Sequence, residues 1–212
     1  MSAPAFLTLK TTADAAQHWP AAIVAARGDV LAASSADDVR PLEPGTIHTG
    51  LIIARFAFAE DRDTFWASPD SASLAAADPA LVALSCAGIA WEGWPGHSVP
   101  TIATVDVPDA GAPRAYMVIE GTGEDQARMD AYRDVILPMM RERGAYYVAF
   151  ELGGDVRVLA GEWGEGIFAI SRWPSLAHAE EFWFSDRYQN VAVPIRTGVG
   201  RFHVQIVEGL AG

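Results

Sequence analysis

The chain repeats itself. Shifted by 116 to 117 residues, the first half falls on the second: Arg27-Gly28 on Arg143-Gly144, and Leu51–Phe56 on Phe168–Trp173, with Arg55 opposite Arg172. Further along, Phe65-Trp66-Ala67-Ser68 falls on Phe182-Trp183-Phe184-Ser185, and Trp91-Glu92-Gly93 on Val207-Glu208-Gly209. At the starts the offset is 110, Ala5-Phe6 against Ala115-Tyr116, so the second copy is longer early on. Four landmarks in one order mean that whatever fold one copy adopts, the chain builds twice, and each copy can bury its apolar face against the other.

Each copy reads as strand, helix, strand, strand, helix, strand. In the second, Arg114–Glu120 is a β-branched and aromatic run that predicts a strand. A helix follows, with Met129, Tyr132, Ile136, Met139 and Met140 at helical spacing. Gly144 just beyond Arg141-Glu142-Arg143 is a helix stop, and Pro138 within the helix predicts a kink or a tightened turn. Ala145–Glu151 and Ile167–Trp173 read as strands, with Gly153-Gly154 turning between them. Ser175 caps a helix carrying Leu176, Ala179 and Trp183 on one face, and Arg201–Val207 is the last strand. The first copy follows the same order with a thin second strand, Val30–Ala33.

This order is the ferredoxin-like βαββαβ unit. The predicted fold class is α+β, with repeats at residues 1–95 and 114–212 joined by a Pro- and Gly-bounded linker, 96–113, that holds a short strand at 101–107. One such unit covers only one face of its sheet with helices, so its other face needs a partner. Two tethered copies therefore predict an intramolecular dimeric α/β barrel. In the last strand Phe202, Val204 and Ile206 alternate with Arg201, His203 and Gln205. The apolar set is expected against the helices and the polar set toward the space between the sheets, where a ligand pocket is expected.

The second copy resembles the family catalogued as domain of unknown function 1330, within the dimeric α/β-barrel superfamily. The residues that carry the resemblance are Tyr116, Tyr132, Gly144–Tyr147, Val158–Trp163, Trp173-Pro174-Ser175, Ala179–Trp183 and Ser185–Gln189. Members of that family carry an Arg-Gly pair after the second strand, where this chain has Phe150-Glu151-Leu152-Gly153. The resemblance implies the fold. The superfamily it implies includes cofactor-free monooxygenases, haem-degrading enzymes and proteins that only bind ligands.

Composition narrows the partners. A formal charge of −12, shared equally by the two halves, argues against nucleic acid and anionic membranes. The longest apolar stretches are about half of the roughly 20 residues that a membrane helix needs. The N-terminus lacks the pattern of a secretory signal, so a cytoplasmic location is expected. A single cysteine, Cys86, rules out an internal disulfide and a cysteine-based zinc site. Fourteen arginines stand against one lysine, a bias read as codon usage.

His203 interrupts an apolar strand and is the candidate general base, its ordinary pKa lying near neutrality. The alternative is a hydrogen-bonded interface histidine. Arg172 and Arg55 are candidate anchors for a carboxylate, or partners of acids such as Glu120 or Glu151. Tyr116, Tyr147 and Gln205 are candidate contacts to an aromatic ligand, with packing as the alternative for the tyrosines. His178 and Glu181, one helical turn apart, are too few for a metal site. Gly161–Gly166 runs into a strand and opens no helix, so no nucleotide fingerprint is present. The expectation is a binding protein or cofactor-independent enzyme, without metal or cofactor, acting on a small aromatic or apolar molecule between the sheets. Self-association is compatible with it. The competing expectation is a non-catalytic module whose inter-sheet core is solid.

Overall fold

The computed structural model describes residues 3–12, 16–44, 46, 49–89, 113–152 and 155–210. Apart from Pro113, the expected linker lies outside the described residues, as do Trp91-Glu92-Gly93, His48, His97 and the Gly153-Gly154 turn.

The first copy contributes β1 (Ala5–Thr11), α1 (Trp19–Ala25), β2 (Asp29–Ser34), β3 (Arg40–Pro41), β4 (Gly50–Phe56), α2 (Ala59–Trp66), α3 (Pro69–Ala77) and β5 (Val82–Ala87). The second contributes β6 (Ala115–Gly121), α4 (Gln126–Glu142), β7 (Tyr146–Leu152), β8 (Arg157–Ala160), β9 (Ile167–Trp173), α5 (Leu176–Phe184), α6 (Val193–Arg196) and β10 (Phe202–Glu208). The two antiparallel sheets run β2-β4-β1-β5-β8 and β3-β10-β6-β9-β7. Within each sheet a copy's own four strands stand in the βαββαβ arrangement, its first and third main strands side by side at the centre.

The fifth strand of each sheet comes from the other copy. β3 leaves the first copy and pairs with β10, Gln205 opposite Pro41 and Ile206 opposite Arg40. β8 leaves the second copy and pairs with β5, Leu84 opposite Val158. Each exchanged strand is delivered by the segment between a copy's second and third main strands, so the exchange is reciprocal. Gly161 turns the chain out of β8 at φ +73°, where a Cβ would stand 2.4 Å from the Leu81 carbonyl oxygen.

Local signals explain the helices. Asp125 caps α4 by accepting from the Arg128 amide at 3.1 Å, and Ser175 caps α5 by accepting from the His178 amide. The helix α4 continues through Pro138. Pro138 and Asp134, whose carbonyl loses its partner there, are both exposed, so water can satisfy that oxygen. Gly144 takes φ +68° beyond α4, and Arg27 takes φ 63° at the matching place beyond α1. The offset between the copies here is therefore 117, which pairs Arg27 with Gly144 rather than with Arg143.

Strand alternation sorts the core into three layers. Leu7, Leu9, Ile52 and Phe56 pack under the first copy's helices, and Met117, Ala169, Val204 and Ile206 under the second's. Between the sheets, Phe6, Leu51, Ile53 and Leu84 meet Tyr116, Val118, Phe168 and Ile170, each at most 5% exposed. The expected pocket between the sheets is thus corrected: large apolar side chains from both sheets pack into that space.

One part-buried ion pair crosses it. The Lys10 ammonium donates to both Glu120 carboxylate oxygens at 2.9 Å, and the Trp163 indole N–H donates to Glu120 at 2.8 Å. Lys10 and Glu120 hold the same position, sixth, in β1 and β6.

Cys86 also lies in this layer. Burial, with the Glu151 carboxylate adding to it, pushes its thiol up to about 12. Only the thiolate reacts, so alkylation by iodoacetamide at pH 8 is expected to run about a thousandfold slower in the native protein than in urea. Equal rates in the two conditions would contradict this burial.

Candidate functional site

The residues singled out from the sequence scatter over the second sheet and beyond. His203 and Gln205 sit on the face of β10 toward the other sheet. His203 Nε2 stands 3.8 Å from Glu165, which also takes Arg201 at 3.5 Å, and its Nδ1 is buried without a hydrogen bond among the described residues. Gln205 is 4% exposed. Arg172 donates to the Tyr146 hydroxyl and lies 5.6 Å from that ring's centroid, with Tyr116 opposite it in register. Its partners are phenols where carboxylates were expected. Burial raises the Tyr116 phenol, with Arg172 pulling the other way. Arg55 makes an exposed pair with Asp29 at 2.6 Å. Of the six, Tyr147 alone lines the cavity described next.

That cavity, 610 Å³, lies on the opposite side of the second sheet, between its strands and α4. Its floor is Met117, Ile119, Tyr147, Ala169 and Val204, and its roof is Tyr132, Ile136, Leu137 and Met140. Thr122, Gly123, Gln126 and Gly166 ring the solvent side, together with an Asp130–Arg133 pair at 2.9 Å. Alternation explains the lining, since the apolar face of β6, β9 and β10 is the one turned to α4. Tyr147 packs edge-on against Phe150, centroids 4.9 Å apart, and burial pushes its phenol well above the ordinary value.

The inner end is aromatic and polar. Residues Tyr188–Ala192 form a π-helical turn leading into α6. This widened turn sets Tyr188 and Arg196, eight residues apart, near enough for Arg196 to donate to the Tyr188 hydroxyl at 3.5 Å. The Tyr188 hydroxyl lies 3.0 Å from that of Tyr132. Arg196 is 6% exposed at its side chain and lies 5.0 Å from the Phe202 centroid and 5.8 Å from those of Tyr132 and Trp183.

Its counter-ion is Glu43 of the first copy, which accepts two hydrogen bonds at 3.2 and 2.7 Å. Burial opposes the Arg196 charge, but the hydrogen-bonded Glu43 together with Tyr188 and Tyr132 outweighs it and holds the guanidinium above its usual value. Burial raises both Tyr132 and Tyr188, so both are neutral phenols near pH 7. Glu43 reaches the site because β3 docks on β10 and Leu42 then donates to the Val204 carbonyl at 2.8 Å.

Tyr132 and Tyr188 were visible as residues carrying the family resemblance. Arg196 and Glu43 carried no signal, lying 153 positions apart on different copies.

The first copy has the same frame with its interior filled. By the 117-residue offset Trp19 takes the place of Ile136, and Phe65 and Trp66 take those of Phe182 and Trp183. Trp19 is fully buried and stacks on Trp66, centroids 6.0 Å apart and planes within 4°. Phe65 packs edge-on against Trp19 at 6.3 Å. The helix above is also shorter, seven residues in α1 against seventeen in α4.

The fold is a dimeric α/β barrel closed within a single chain. Residues 114–210, the second repeat, match the family described as Domain of unknown function (DUF1330). No curated protein matches the chain. Among solved structures, an anthrone oxidase-like protein shares 14% identity at a TM-score of 0.51, covering 99% of this chain and 92% of that one. A mutant chlorite dismutase from Candidatus Nitrospira defluvii gives 11% and 0.47 over 99% and 92%. A heme-binding protein from Thermus thermophilus gives 10% and 0.46 over 99% and 92%. Among the described residues, no helix is long and apolar enough to cross a membrane.

Proposed function

We propose that the protein binds a small, largely apolar or aromatic organic molecule in the cavity beneath α4. The observation that carries this reading is the cavity itself. At 610 Å³ it falls within the range of ligand pockets, roughly 300–1,000 Å³. Its walls are aliphatic, thioether and aromatic, with Tyr132, Tyr188 and Arg196 at the inner end and Thr122, Gln126 and the Asp130–Arg133 pair at the rim, so polar groups at the ends orient a ligand while apolar burial supplies affinity. Filling of the matching space in the first copy supports a role for the second copy alone. The walls do not fit a haem held by imidazole or thiolate, because among the described residues no histidine or cysteine lines them and the tyrosines are kept protonated.

Equilibrium dialysis of the full chain against tetralin, a bicyclic hydrocarbon, tests the reading. Saturable binding is expected, weakened about tenfold or more in Ala169→Phe, which puts a ring into the floor of the cavity. Met129→Trp, nearer the solvent side, provides a second obstruction should the first variant fold poorly. Absence of saturable binding, or binding indifferent to both substitutions, would overturn it.

A further inference from the structure

Resting on that reading, we propose that the cavity selects molecules bearing a neutral hydrogen-bond acceptor, a ring carbonyl, over matching hydrocarbons and carboxylates, and that Glu43 of the first copy sets this choice. The inference comes from counting protons. Tyr132 and Tyr188 have one hydroxyl proton each, and the single bond between them uses one. Arg196 only donates, to Tyr188 and to Glu43, and among the described residues no hydrogen bond joins either tyrosine to the Glu43 carboxylate. Whichever tyrosine donates to the other, one hydroxyl proton is left without an acceptor among the described residues. In an apolar enclosure an unmatched donor is costly, and a carbonyl oxygen is the group that answers it.

Charge excludes the carboxylate. Arg196 is an obvious anion anchor by residue type, but Glu43 already matches it through two hydrogen bonds, so the cluster is neutral. A carboxylate entering beside it would leave one net negative charge buried. Removing the charge of Glu43 should reverse the order, because Arg196 would then face the cavity with its charge unmatched.

Three probes sharing one ring system test this by equilibrium dialysis: tetralin, 1-tetralone and tetralin-1-carboxylate. The ketone is expected to bind about fivefold more tightly than the hydrocarbon, the worth of one neutral hydrogen bond, and the carboxylate most weakly. Single replacements, Tyr132→Phe or Tyr188→Phe, each leave one unmatched proton and should keep the ketone preference. The double replacement should abolish it with tetralin binding retained. Glu43→Gln should make the carboxylate the tightest of the three, whereas Glu43→Asp should keep the native order, with circular dichroism confirming that each variant is folded.

Equal binding of tetralin and 1-tetralone to the native protein, a preference that survives the double replacement, or a carboxylate still weakest in folded Glu43→Gln would each overturn the inference. In those cases tetralin binding that is lost in Ala169→Phe would leave the proposed function standing. If none of the probes binds, the proposed function falls, and this inference with it.

Discussion

Replacing Glu120 with alanine is expected to lower the unfolding free energy by about 3–5 kcal/mol, because it strands a charged partner in the sheet-to-sheet core. The side chain of Glu120 is 3% exposed and that of Lys10 18%, so water cannot take over the lost contacts cheaply. The Trp163 indole N–H would lose its acceptor as well. Urea denaturation followed by tryptophan fluorescence measures the loss directly. Exchanging the pair, Lys10→Glu with Glu120→Lys, should recover part of the lost stability by restoring the cross-sheet attraction, but not all of it, since a lysine at 120 cannot accept from Trp163. A midpoint shift in Glu120→Ala worth less than about 1 kcal/mol would place this pair with ordinary exposed ones.

A loss of comparable size is expected for Trp19→Ala, about 3–5 kcal/mol for a large buried aromatic cut back to a methyl group. Trp19 is fully buried and holds the stack with Trp66 that fills the first copy. The substitution should also open in the first copy the space that the second copy has naturally. Added indole is then expected to raise the thermal midpoint of the variant in a concentration-dependent way, since a ligand that binds only the folded state stabilises it by mass action. If indole leaves the midpoint unchanged while stability has fallen, the neighbouring side chains have collapsed into the gap, and the equivalence drawn between the two copies fails.

Much of the fold was legible because it is written locally. Strand alternation, the cap at Ser175, the stop at Gly144 and the duplicated landmarks each act within a few residues or recur in plain order. The exchanged strands escaped for the opposite reason. Arg40–Pro41 has only two residues, and Arg157–Ala160 has no polar and apolar alternation to mark it, so each owes its strand character to a distant edge. The single lysine was a readable signal that was passed over as codon bias; its ammonium is the cation that Glu120 requires.

The side of the sheet that holds the cavity was misjudged on a reasonable premise. Polar residues alternating along β10 suggest a binding face. That face instead packs against the other sheet, with His203 beside Glu165 of its own copy, and the cavity opens on the apolar face. Residue type tells which face is apolar, but whether a helix rests on that face or stands away from it depends on what fills the gap. Trp19 closes it in one copy and Ile136 leaves it open in the other. Tyr147, chosen as an aromatic contact, is part of the cavity floor because β7 turns that face to α4.

The reciprocal strand exchange has a consequence for how the chain is made. As synthesis proceeds, the first sheet emerges with the outer side of β5 unsatisfied and with β3 lacking any neighbour. The β5 edge closes only once residues 157–160 have followed, and β3 finds its neighbour only with residues 202–208, so the N-terminal half holds a backbone edge open while the rest is translated. Once β10 has been made, β3 of one chain can dock on β10 of another as well as on its own. Crowded nascent chains are thereby biased toward swapped dimers, whereas dilution favours closure of each chain on itself.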